Sequence, residues 1–292
     1  MSKLSVQFSG GLGNQLFTYT AFKYFASLHN QELTLDCSVV ERVLGRDADI
    51  LSFRLDGEKI LRNSDVNFLK DYSNRVSWRN PLTRKVFKRK LYPNLNDDFD
   101  LPSSMRARTN RGFFQTSKYL ALMSSTDIRT RFELKKESEH FKVLRSEILK
   151  ATPFALHIRR GDYRSYQESF GLLDLTYFTS GINKLRNLYG DNPIWIFSDE
   201  PESVINEFNE CNLEFSRIIS PSELNAAETL KLMSMAHAQV ISNSTFSWWA
   251  GALSEFQRVV YPDPWFKAND GWLLNNELAL PNWIAQKSDW WE

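Results

Sequence analysis

The chain has 292 residues, 42% apolar and 24% charged, with 36 basic against 35 acidic side chains and a net charge of +1. This is ordinary soluble globular composition, long enough for one large domain or two modest ones. The balanced charge argues against nucleic acid as a partner, and two distant cysteines (Cys37, Cys211) against a disulfide framework. Four unclustered histidines make a zinc site improbable, and no apolar run approaches the roughly 20 residues of a membrane span.

The first 36 residues read strand, glycine turn, helix, strand. Leu4–Phe8 is the first strand, Ser9–Asn14 the turn, Gln15–Leu28 a helix with Leu16, Tyr19, Phe22, Phe25 and Ala26 at helical spacing, and Glu32–Asp36 the second strand. Gly11 and Gly13 suit a phosphate or sugar lying against backbone amides, and Asn14-Gln15 add two carboxamides for sugar hydroxyls. Asp36 imitates the acidic residue of a dinucleotide fingerprint, but Leu16 stands at the third glycine, so a complete signature for NAD is missing.

From residue 40 to 110 the pattern lapses. Seven basic residues and no acidic one lie between Arg75 and Lys90, read as a solvated helix face, with peripheral docking on anionic lipid or glycan as the alternative. Asp47-Ala48-Asp49 and Asp98-Phe99-Asp100 are Asp-x-Asp pairs of the kind chance supplies, and no metal is expected.

Alternation resumes at Gly112–Gln115, expected as a strand, followed by helices over Ser117–Met123 and Glu137–Leu149. Strands are expected at Phe154–Ile158, Ile194–Phe197, Phe215–Ile219, Gln239–Ile241 and Val259–Tyr261. Helices are expected at Thr176–Leu188, Pro201–Asn209, Ala226–Ala238 and Thr245–Phe256. Such alternation marks a doubly wound α/β sheet. A boundary near Lys150–Pro153 divides the chain into domains 1–150 and 151–292.

Three strand ends carry chemistry. His157-Ile158-Arg159-Arg160-Gly161-Asp162-Tyr163 puts two guanidinium forks where an α/β sheet binds ligands, and such forks match diphosphate oxygens. The alternative is a structural ion pair of Arg159 or Arg160 with Asp162. Ser242–Ser247 places four hydroxyls in six residues at a helix start, an anion site as well as a cap. Ser198-Asp199-Glu200 offers carboxylates for a guanine edge or ribose, or a plain helix start.

Taken together, Gly10–Phe17, Phe114–Tyr119, His157–Tyr163, Phe197–Asp199, Leu232–Ser234 and Ser242–Trp249 resemble the bacterial alpha-1,2-fucosyltransferases of glycosyltransferase family 11. The resemblance implies a GT-B fold, two Rossmann-like domains facing each other across a cleft, the N-terminal one on the acceptor side. It implies GDP-L-fucose as donor, held mainly by the C-terminal domain. Transfer would be inverting and metal-independent, onto the 2-hydroxyl of a terminal galactose on an oligosaccharide or lipid-linked glycan. It assigns Arg159 to the β-phosphate, His157 and Asp199 to guanine, Asn243, Ser244 and Thr245 to phosphates or ribose, and Asn14 to the fucose or acceptor. Thr18, Glu200, Thr229 and Ala236-His237 depart from the residues usual in the family. An inverting displacement wants a general base, for which Asp162 is the candidate and Glu168 the weaker one. A GT-B transferase with another GDP-sugar, such as GDP-mannose, and a non-catalytic glycan or nucleotide binder are the alternatives. The expected location is the cytoplasm, at or near the inner face of the membrane where O-antigen or lipopolysaccharide precursors are decorated.

Overall fold

A computed structural model describes residues 3–65, 112–122, 125–210, 213–267 and 278–291. The Arg75–Lys90 basic run and the Asp98–Asp100 pair lie outside the described residues. The chain divides into two compact units, Met1–Glu133 and Leu134–Glu292.

In the first unit, β1 (Lys3–Gln7), α1 (Leu12–Leu28), β2 (Glu32–Asp36), α2 (Ser38–Leu44) and β3 (Lys59–Leu61) form a parallel sheet in the order β1-β2-β3. Leu4, Val6, Leu33 and Leu35 are buried on alternate positions, and Leu16, Tyr19, Phe22, Phe25 and Ala26 bury the expected stripe of α1. Asp36 is not a ribose ligand in waiting. It is buried and accepts hydrogen bonds from Gln7 Nε2 (2.8 Å), Ser38 N (3.0 Å) and Ser38 Oγ (2.5 Å), closing the turn into α2. The strand expected at Gly112–Gln115 does not form. Phe114 adopts φ +50°, which breaks an extended run, and the next regular elements are the short helices α3 (Lys118–Ala121) and α4 (Ser125–Arg131).

The second unit opens with α5 (Glu139–Ala151). Ser138 Oγ caps it by accepting from Phe141 N (3.1 Å), and Phe141, Leu144 and Ile148 form its buried stripe. The helix belongs to this unit: Ser138 N donates to Glu228 Oε1 (2.6 Å) and Glu147 pairs with Arg217 (2.8 Å). The division at residues 133/134 therefore lies ahead of the boundary expected near Lys150–Pro153.

Six parallel strands follow: β4 (Phe154–Ile158), β5 (Ile194–Ser198), β6 (Arg217–Ile219), β7 (Ala238–Val240), β8 (Val259–Asp263) and β9 (Ile284–Lys287). Between them run the short α6 (Gln167–Phe170), then α7 (Leu175–Tyr189), α8 (Pro201–Glu210), α9 (Ala226–Ser234) and α10 (Thr245–Ala252). Every residue of β4 and β5 is buried, as in a parallel sheet covered on both faces. Leu156, Ile158, Tyr177, Phe178, Ile182, Ile196, Val240 and Val260 build the core. The sheet order is β6-β5-β4-β7-β8-β9, the doubly wound arrangement in which strand order reverses between β4 and β7. β3 and β9, and the helices α2, α4 and α6, were not expected from the sequence. Among the described residues no helix is long and apolar enough to cross a membrane.

Candidate active site

The reversal point sets the site. β4 pairs with β7 through Leu156↔Val240, so the residues leaving both strands meet at one edge of the sheet. His157 lies 2.7 Å through Nδ1 from Ser242 Oγ, and its buried ring stacks on Phe246 at 5.4 Å. Burial, with Arg159 beside it, pushes the imidazole pKa down to about 3, so the ring is neutral near pH 7 and offers one donor and one acceptor.

Beyond the strand the two arginines part company. Arg159 remains one-third exposed, its guanidinium 2.6 Å from Asp162 Oδ1 and 2.9 Å from Asp199 Oδ2, and 5.7 Å over the Tyr163 ring. Arg160 turns inward and is fully buried. Its Nε and Nη2 donate to the two oxygens of Glu207 (3.2 and 2.6 Å) and Nη1 donates to Leu173 O (2.7 Å). The expected pair of phosphate forks therefore reduces to one, because Arg160 spends its donors inside the unit. Nor is there a surplus of positive charge: Glu207 faces Arg160, and Asp162 and Asp199 face Arg159.

Asp199 is equally committed. Oδ2 holds Arg159, and Oδ1 accepts the backbone N–H of Arg160 (2.9 Å). A Cβ on Gly161 would lie 2.3 Å from Asp199 Oδ2, so any side chain there would displace this carboxylate or the backbone. Ser198 is buried and its Oγ accepts Glu200 N (3.1 Å), the helix-start role offered as its alternative. Asp162 is exposed at 59% with Oδ1 on Arg159, and Glu168 is exposed on α6.

The hydroxyl-rich turn packs against the same motif. Ser244 caps α10, its Oγ accepting Phe246 N (3.3 Å), and Ser247 Oγ donates to Ser242 O and Ser244 O (3.2 Å each). Asn243 Nδ2 donates to Phe170 O (2.7 Å) and Gly171 O (3.3 Å), while Asn243 O accepts Tyr163 Oη (2.9 Å). Asn243 is thus a brace between two loops, and Thr245 stays half-buried at the helix N-terminus. Trp248 and Trp249 are wholly buried, as core rings. Glu207, Tyr163 and Asn243 form a supporting shell that sequence reasoning left unassigned or gave to the ligand. The trace of Glu207 in the sequence is an acidic side chain on the apolar face of α8, beside Val204 and Phe208.

In the first unit Gly10 turns with φ +73°, and a Cβ there would lie 2.5 Å from Asn14 Nδ2. Asn14 Oδ1 accepts Gln115 Nε2 (3.0 Å). Gly11 is exposed and precedes α1 as its N-cap, and Gly13 is buried in the first turn. Gln15 is fully buried, donating to Gly10 O (3.0 Å) and accepting Ile50 N (3.1 Å), so one of the two expected sugar-binding amides is structural. Asp47 and Asp49 pair with Arg62 and Arg46.

A family model described as Glycosyl transferase family 11 matches residues 2–287. The O-antigen biosynthesis glycosyltransferase WbnK of Escherichia coli is 26% identical over 301 residues, covering 94% of this chain and 98% of the relative. An Escherichia coli alpha-1,2-colitosyltransferase is 27% identical over 298 residues, covering 97% and 99%. Among solved structures, the NodZ alpha-1,6-fucosyltransferase soaked with GDP-fucose aligns over 87% of this chain and 93% of its own, with TM-score 0.53 at 15% identity. The fucosyltransferase NodZ from Bradyrhizobium aligns over 87% and 94%, again with TM-score 0.53 at 15% identity. At that identity the likeness bears on the fold, and the fold is the GT-B-like one expected from the sequence, built from two α/β units with parallel sheets. With the match running over nearly its whole length, this chain is a glycosyltransferase and belongs to glycosyl transferase family 11.

Proposed function

We propose that the chain transfers L-fucose from GDP-L-fucose, with inversion and without a metal, to the 2-hydroxyl of a terminal galactose on a glycan. The observation that carries the reading is Arg159: a partly exposed guanidinium, held by two carboxylates, where the strand order reverses. Departure of GDP loads negative charge onto a diphosphate while the sugar gains oxocarbenium character. A pre-aimed guanidinium stabilises that charge as it develops. His157, Ser244 and Thr245 line the same edge as candidates for the nucleotide, and Gly11 and Gly13 offer backbone amides in the first unit. Asn14 is assigned to the transferred sugar or its acceptor.

Asp162 takes the role of orienting Arg159 in preference to that of general base, because its oxygen already meets that guanidinium at 2.6 Å, and the proton lost by the acceptor hydroxyl passes to the exposed Glu168 or to solvent. A full-length relative named for colitosyl transfer supports a second donor reading. Colitose is fucose without its 3-hydroxyl, so the two donors differ by one hydrogen-bonding group. The name of the O-antigen biosynthesis relative supports a bacterial surface glycan as the acceptor class. The proposal sets the enzyme at the cytoplasmic face of the membrane.

A donor panel of GDP-fucose, GDP-colitose and GDP-mannose, followed by an acceptor screen and linkage analysis of the product, tests this. GDP-fucose should give the highest kcat/KM and a 1,2-linked product. Preference for another sugar, or another linkage, overturns it.

A further inference from the structure

We propose that Trp291 is a positioning residue for the arginine motif, acting on Arg159 through the buried Arg160. This rests on the reading of Arg159 as the group that meets the donor diphosphate. The family match ends at residue 287, so the Ser288–Trp291 segment lies beyond it.

That segment is stitched to the loop that follows the motif. Ser288 N donates to Asp263 O (3.1 Å) and Ser288 Oγ to Pro264 O (2.6 Å), anchoring it beyond β8. It then runs antiparallel to Leu172–Asp174. Asp174 N donates to Asp289 O (2.9 Å), Trp290 bridges Leu173, and Trp291 N donates to Leu172 O (2.6 Å). Gln167 Nε2 closes the seam on Trp291 O (3.2 Å). The fit is tight: Gly171 has φ +79°, and a Cβ on it would lie 2.4 Å from the Trp290 ring. The seam sets the Trp291 ring 5.4 Å from the guanidinium carbon of Arg160.

The chain of consequence is short. The donors of the Arg160 guanidinium are occupied by Glu207 and Leu173 O, and its central carbon lies over an indole ring. A planar cation over an aromatic face gains electrostatically, more so when water is excluded. Arg160 in turn gives its backbone N–H to Asp199, and Asp199 holds Arg159. An aliphatic side chain at 291 fills space without attracting the cation. Arg160 loosens, and the aim of Arg159 loosens with it.

The test uses the full chain with Trp291→Leu and Trp291→Phe. Amide hydrogen exchange is followed over peptides spanning His157–Tyr166 and, as reference, over β5 and β8. Steady-state turnover and thermal midpoint are measured beside it. Trp291→Leu should speed exchange in His157–Tyr166 about tenfold with little change in the reference strands, and lower kcat about tenfold with a smaller change in KM. Trp291→Phe should restore both. Wild-type exchange in the leucine variant overturns the proposal. So does faster exchange across all of 134–292 in step with a lowered midpoint, and so does failure of phenylalanine to rescue. Exchange needs no donor, so it decides the role of Trp291 even if GDP-fucose proves to be the wrong sugar nucleotide.

Discussion

Asp199 and Arg159 stand 2.9 Å apart, and the other oxygen of the same carboxylate accepts the backbone N–H of Arg160. One side chain therefore fixes both the position of the motif's backbone and the direction of its guanidinium. Arg159→Lys keeps the charge but loses the fork. It should lower kcat by about 100-fold or more while GDP affinity changes only a few-fold. Calorimetry with GDP beside steady-state rates checks the split, and near-normal turnover would remove Arg159 from the transition state.

Gly161→Ala tests the closeness of Asp199 directly. The added Cβ would meet Oδ2 at 2.3 Å, so the carboxylate must move or the backbone must yield. We expect a stability loss of about 1–3 kcal/mol by denaturant unfolding, together with reduced turnover. A variant as stable and as active as wild type would show that Asp199 moves aside freely.

Arg160 and Glu207 make a different prediction. Removing one member of a buried pair strands the other without water, at about 3–5 kcal/mol. Arg160→Met and Glu207→Gln should both be strongly destabilised in urea, and Arg160→Met combined with Glu207→Leu should recover much of the loss. If Arg160 instead bound the diphosphate, Arg160→Met would spare stability and abolish GDP binding.

His157 imposes a pH dependence on stability. Its ordinary pKa of 6.5 is depressed to about 3 in the folded chain, so between those values the unfolded chain binds a proton that the native one refuses. Stability should therefore fall as pH drops below 6.5, at up to about 1.4 kcal/mol per pH unit for this one group. Above about pH 5 the carboxylates contribute little to the slope. His157→Gln should flatten that limb, as followed by thermal midpoints across the range.

Asp162→Asn separates orientation from base catalysis. With the carboxylate bound to Arg159, we expect kcat to fall roughly tenfold with the shape of the pH–rate profile retained. Loss of the acid limb would restore Asp162 as the base.

The place of the arginine motif at a strand end was legible because an apolar run that stops in charge marks one, and β4 does end at Ile158. The parallel array of the second unit was legible for the same reason, with errors of a few residues: β6 begins at Arg217 and α9 stops at Ser234. The fate of Arg160 was not legible. Its partner Glu207 lies 47 residues away on another helix, and adjacent arginines look alike until the chain turns one of them inward. Likewise Gly112–Gln115 reads as extended from residue preference alone, yet Phe114 is held in the left-handed region. Asn243 and Gln15 read as ligands because carboxamides serve backbone and sugar equally well, and here backbone takes them.

Two bonds, His157 to Ser242 and Tyr163 to the carbonyl of Asn243, tie segments about eighty positions apart. The two motifs therefore make a single transplantable cassette. A chimaera that imports the 157–163 segment of a relative without its 242–247 segment should lose activity even when every imported residue is individually tolerated, and exchanging both should return it. Any exchange of one stretch between relatives would have to carry the other with it.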